Sequence, residues 1–165
     1  MTRQTLVAGI GNIFLGDDGF GVEVANSLKS RQMPEGVRVA EFGIRGVHLA
    51  YELLDGYDSL VLIDAVPMGE VPGTVAVIEP DVASLQSDEA GVLDAHSMNP
   101  AIVMGTLARL GGSVEKILIV GCQPADLQDG MGLTPAVAAA VADAAQLCFQ
   151  LVSEMVEPVT KGAFP

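Results

Sequence analysis

Tryptophan is absent from this 165-residue chain, and Phe and Tyr bring the aromatic share to only 4%. The core must therefore be aliphatic, built from Val, Leu, Ile, Ala and Met, because half of all residues are hydrophobic. Basic residues are also scarce: 8 Lys+Arg stand against 21 Asp+Glu, a formal charge of −13. A surface of that sign repels phosphate, so nucleic acid and anionic membranes are not expected as partners, whereas cations and basic peptide segments are. Cys122 and Cys148 are the two cysteines, set in apolar runs without C-x-x-C or zinc-type spacing. They read as buried inert thiols, with Cys122 notable only for ending a strand. No apolar run approaches the ~20 residues of a membrane span. The N-terminal MTRQTLVAGIGN meets Gly and Asn before it can form the apolar region of a signal peptide. A cytoplasmic protein with no membrane insertion is the expectation.

Strand-like and helix-like segments alternate along the chain, the pattern of an α/β sheet. Strands are predicted at Thr5–Gly9, Val37–Phe42, Ser59–Ala65, Thr74–Glu79 and Lys116–Cys122. Helices are predicted from about Gly19 to Arg31, Val47 to Leu54, Ser97 or Asn99 to Leu110, and Thr134 to Met155. The link Pro67–Gly73 is too short for a helical crossover, so the strand after it is read as an antiparallel edge. Residues 1–156 are expected to form a single domain and 157–165 a loose tail. Pro80–Asp94 is polar, has no clear period and reads as a loop.

The first strand runs into GIGNIFLGDDGFGVEVA. Gly9-x-Gly11 invites a dinucleotide reading, but Phe14 stands where a third glycine belongs and Asp17-Asp18 would face the pyrophosphate. Two negative charges there cost affinity for a phosphate. One aspartate is accounted for by favouring a helix's first turn, and the other is left for a cation. Asp64 ends the apolar run SLVLIDA, near the crevice where α/β sheets bind ligands. His96 lies in DAHSMNP, ahead of a helix, while His48 sits beside Val47 and Leu49 and reads as structural or exposed. Asp18, Asp64 and His96 can share one sheet edge, and two oxygens with one imidazole suit nickel, zinc or manganese. The same carboxylates could serve as a general base. HExxH, Gly-x-Ser-x-Gly and P-loop motifs are missing.

Five ordered segments then resemble one family: GIGNIFLGDDGFGVEVA, the GIRG loop, LVLIDAVPMGEVPGTV, DAHSMNP and IVGCQPADLQDGMGLTPAV. They are similar to the nickel–iron hydrogenase maturation endopeptidases. The resemblance implies an α/β fold: a doubly wound, mostly parallel five-stranded sheet with helices on both faces. It implies a protease, often classed as aspartic-type, that removes a C-terminal extension from the hydrogenase large-subunit precursor once nickel is inserted. By the same resemblance, Asp18, Asp64 and His96 hold the metal and serve catalysis, with nickel carried by the substrate. Members often carry glutamate at the first position, and Asp18 is one methylene shorter, with Asp17 as an alternative donor. Gly43, Arg45 and Gly46 of the GIRG loop correspond to a segment tied to substrate selection. A monomer is expected. Two readings compete: a nickel- or precursor-binding chaperone that does not cut, and a nucleotide-binding α/β enzyme.

Overall fold

A computed structural model describes residues 3–81 and 100–156. In chain order it contains β1 (Thr5–Ile10), a 3-10 turn (Gly16–Gly19), α1 (Phe20–Lys29), β2 (Val37–Gly43), α2 (Gly46–Leu53), β3 (Ser59–Ala65), β4 (Val75–Ile78), α3 (Pro100–Arg109), β5 (Lys116–Cys122) and α4 (Pro135–Val156). The strands form one sheet in the order β2-β1-β3-β5-β4. β1, β2, β3 and β5 are mutually parallel, and β4 runs antiparallel along β5 at the edge. Both the five-stranded sheet and its antiparallel edge match the reading of the sequence.

Strand residues alternate between the two faces, as the period of two requires. Val7, Val61, Ile63, Leu118 and Val120 point to one side, where Phe20, Val24 and Leu28 of α1 and Val137, Ala144, Cys148 and Val152 of α4 cover them. Leu6, Ala8, Ile10, Leu60, Leu62, Ile117 and Ile119 point to the other, under Leu49 and Leu53 of α2 and Met104 and Leu107 of α3. Every residue of β1 and β3 is buried, which is what a central parallel strand demands. Helix α4, 22 residues long with a mean hydropathy of 1.5 over its most apolar stretch, is long and apolar enough to cross a bilayer by length and composition. That corrects the expectation that no segment reaches this length. One stripe of it is nonetheless packed on the sheet through the residues just named.

Two glycines bring α1 down onto the sheet. A Cβ on Gly21 would stand 2.0 Å from the Ile63 carbonyl oxygen and 2.5 Å from that of Ile10. One on Gly9 would stand 2.2 Å from the Gly21 carbonyl oxygen. These are backbone contacts that no rotamer change relieves, so Gly9 serves close packing rather than the turn. Gly21→Ala is expected to cost about 3 kcal/mol through overpacking. A thermal melt lowered by roughly 6–12 °C would check this, and an unchanged melt would contradict it.

The chain leaves β1 for β2 on one side, and β3 lies on β1's other side. The carboxyl ends of β1 and β3 therefore flank the point where strand order reverses, and α/β sheets open a crevice there.

Candidate functional site

Asp18 and Asp64 reach this crevice from the two strands that border it. β1 ends at Ile10, and Gly11 turns the chain with φ of 125°, a conformation side chains disfavour. Gly11 is also crowded: a Cβ there would lie 2.0 Å from the Asp18 carbonyl oxygen and 3.5 Å from Asp64 Oδ1. Its N–H donates to the Gly43 carbonyl at 3.0 Å, which ties the first turn to the end of β2. The Asn12 N–H donates to Asp18 Oδ2 at 2.7 Å. Asp64, in register with Gly121 of β5, is 9% exposed.

The electrostatics of the pair are unusual. Burial, and after it the charge of nearby Asp18, pushes the Asp64 carboxyl well above the ordinary carboxylate range, against a hydrogen bond from the Ala65 N–H. Burial raises Asp18 too, opposed by the Asn12 N–H. Two carboxylates that disfavour each other's charge form a site that gains from an added cation or a shared proton. Perturbation of this kind in a crevice marks functional groups more often than structural ones.

Asp17 behaves in the opposite way. It is fully buried, and its carboxylate accepts from the N–H groups of Ala125 (2.8 Å), Asp126 (3.0 Å) and Thr134 (2.7 Å). The Thr134 hydroxyl also donates, at 2.8 Å to Oδ2 and 3.0 Å to Oδ1. Burial alone would raise its pKa, but these hydrogen bonds together hold it below the usual value. Asp17 thus does not share a metal-binding role with Asp18. Nor is either aspartate a helix cap, since neither the 3-10 turn nor α1 has a side-chain cap.

Beside the carboxylates lies a cleft of about 630 Å³ lined by Gly11 to Phe14, by Val22 and Asn26 of α1, and by Glu41 to Arg45. Phe14 and Ile44 line it with more than half of their surface exposed. Of the three GIRG residues singled out in the sequence, Gly43 and Arg45 line the cleft, whereas Gly46 begins α2 outside its lining. The Arg45 guanidinium donates to the carbonyls of Phe42 (3.1 Å) and Glu41 (3.0 Å) and pairs with the Glu41 carboxylate at 3.7 Å. His48 is exposed on α2. His96 lies outside the described residues, as do Ser97 and Asn99, the expected caps of α3, and most of the expected loop Pro80–Asp94. Among the described residues no group of three His, Cys, Asp or Glu side chains is arranged to hold a metal ion.

Both cysteines are buried free thiols, as their apolar settings imply. Burial, then the charge of Asp17, lifts Cys122 to about 11 against the Gly73 N–H, and burial lifts Cys148 to about 12. Thiolate is the reactive form, so neither thiol should react with Ellman's reagent at pH 8 until denaturant unfolds the chain. Labelling before unfolding would contradict their placement.

Sequence and structure comparisons agree with one another. A profile described as hydrogenase maturation protease matches residues 22–151. The chain is 34% identical over 165 residues to the hydrogenase expression/formation protein HupD of Rhodobacter capsulatus, covering 98% of this chain and 77% of that protein. It is 30% identical over 141 residues to the hydrogenase 2 maturation protease of Escherichia coli, covering 84% of each. Its fold superposes on the hydrogenase maturating endopeptidase HybD from E. coli with a TM-score of 0.77 at 27% identity, covering 93% of this chain and 94% of the other.

Proposed function

The chain belongs to the hydrogenase maturation protease family, and from that premise we propose that it cuts a C-terminal extension from a hydrogenase large-subunit precursor after nickel insertion. Asp18, Asp64 and His96 recognise the nickel that the precursor carries. The observation that carries this reading is the Asp18–Asp64 pair: a buried carboxyl and a half-buried one, adjacent at the switch point, each raised by its surroundings. A divalent cation would relieve both the burial cost and the mutual repulsion. Carboxylate oxygens with an imidazole, short of a full coordination shell, fit a metal already held by another molecule.

Cleavage requires water to attack the scissile carbonyl carbon while a base takes its proton. Asp64 fits that task, because a carboxyl raised toward neutrality can accept a proton and later return it to the departing amine. The cleft beside it receives the peptide, with Phe14 and Ile44 contacting apolar side chains and Gly43 and Arg45 forming one wall. Nickel bound by the carboxylates would hold the precursor so that its extension enters this cleft.

Single alanine substitutions at Asp18, Asp64 and His96, assayed on nickel-loaded precursor with the fold checked by circular dichroism, test the assignment. Each should abolish processing in a folded chain. Full activity in all three would refute it.

A further inference from the structure

We infer that Asp17 is a positioning residue for the site: it locks the 3-10 turn onto the β5–α4 loop and thereby fixes where Asp18 presents its carboxylate. This inference rests on the reading of Asp18 as a functional ligand. Neighbouring aspartates are treated in opposite ways here. Every donor on the Asp17 carboxylate comes from residues 108 to 117 positions away, none from its own turn or helix. Asp18 receives the Asn12 N–H on Oδ2, the one hydrogen bond seen on its carboxylate among the described residues.

The lock extends through the backbone on both sides of Asp17. Its own N–H donates to the Asp126 carbonyl at 2.9 Å, and the Gly16 N–H donates to the Gly130 carbonyl at 2.8 Å. The Gly130 N–H returns to the Phe14 carbonyl at 2.8 Å, so Leu15 and Gly130 form a short parallel bridge. Gly16 is fitted to this contact: its φ is 57°, and a Cβ there would stand 2.6 Å from the Asp126 carbonyl oxygen. Asp18 follows directly on this clamped segment, and its carbonyl packs against Gly11. A ligand group must be held to within roughly 0.5 Å of its working geometry. The residues from Ala125 to Thr134 therefore belong to the frame of the site, although none carries a proposed ligand.

A test independent of metal uses the Asn12 amide, whose hydrogen bond reports the Asp18 carboxylate directly. Hydrogen exchange is compared in wild type, Asp17→Asn, Thr134→Val and Asp18→Ala, alongside kcat and KM on nickel-loaded precursor. A purely stabilising role would speed exchange of the β3 and β5 core amides, which open with global unfolding. A positioning role speeds Asn12 beyond that. In Asp17→Asn we expect Asn12 exchange to accelerate at least about tenfold relative to the core amides, and kcat to fall about 10–100-fold as for other groups that orient ligands. Thr134→Val, which removes only a hydroxyl donor, should move both readouts in the same direction by less. It decides the matter should Asp17→Asn fail to fold. Asn12 exchange unchanged relative to the core in the folded variants would overturn the inference. Undiminished processing by Asp18→Ala would instead count against the assignment of Asp18 itself, and the Asn12 readout would still report whether Asp17 positions it.

Discussion

Replacing Asp64 by asparagine should cut processing of nickel-loaded precursor at least about 100-fold, the usual scale for loss of a general base, while leaving a more stable fold. The two effects have one origin. Burial and the Asp18 charge raise the folded-state pKa of Asp64 well above its unfolded value. Between those two values the folded chain holds a proton that the unfolded chain has released, so stability falls as pH rises through that window. Asparagine has the same shape, carries no charge and cannot accept the proton. Its gain in stability near neutral pH should be on the order of 1 kcal/mol, read as a raised denaturation midpoint, and should vanish below pH 4 where both states of the aspartate are protonated. A variant that loses stability at pH 7, or that processes precursor normally, would contradict this account.

Asp17→Ala should have the reverse signature. It strips the acceptor from three backbone N–H groups and the Thr134 hydroxyl in a fully buried position. Each orphaned donor costs about 1–3 kcal/mol, and partial relaxation brings the total to about 3–5 kcal/mol. The folded-state pKa of Asp17 lies below its unfolded value, so its contribution is present above the unfolded value and is lost as pH falls through the folded one. Wild type should therefore lose stability on acidification below about pH 4 more steeply than Asp17→Ala. Urea midpoints across pH 2–7 measure both effects. Equal acid limbs, or a loss under 1 kcal/mol at pH 7, would count against the lock.

The contrast between these neighbours shows what a sequence can and cannot display. β3 and β5 are read from the sequence with the same bounds that the structure has, because apolar runs buried on both faces are self-announcing. β4 is shorter than its pattern, since Thr74 is held in the preceding turn through the Val71 carbonyl. Asp64 is legible because a carboxylate at the end of such a run has few places to go. The division of labour between Asp17 and Asp18 is not, because the donors that claim Asp17 lie more than 100 residues downstream. Gly9 was equally opaque: its tight contact with Gly21 depends on how α1 crosses β1, which no local pattern encodes. A glycine that opposes a buried strand residue within a helix's first turn is the signal that could have revealed it.

The most direct test of the proposed function is the intact mass of the precursor after incubation with this protein, measured with and without nickel inserted. Loss of a C-terminal fragment from the nickel-loaded form alone, abolished by Asp18→Ala or Asp64→Ala, is the predicted result. Equal cleavage of both forms would contradict recognition of nickel at the carboxylate pair, and tight binding without any mass loss would contradict the proposed cut.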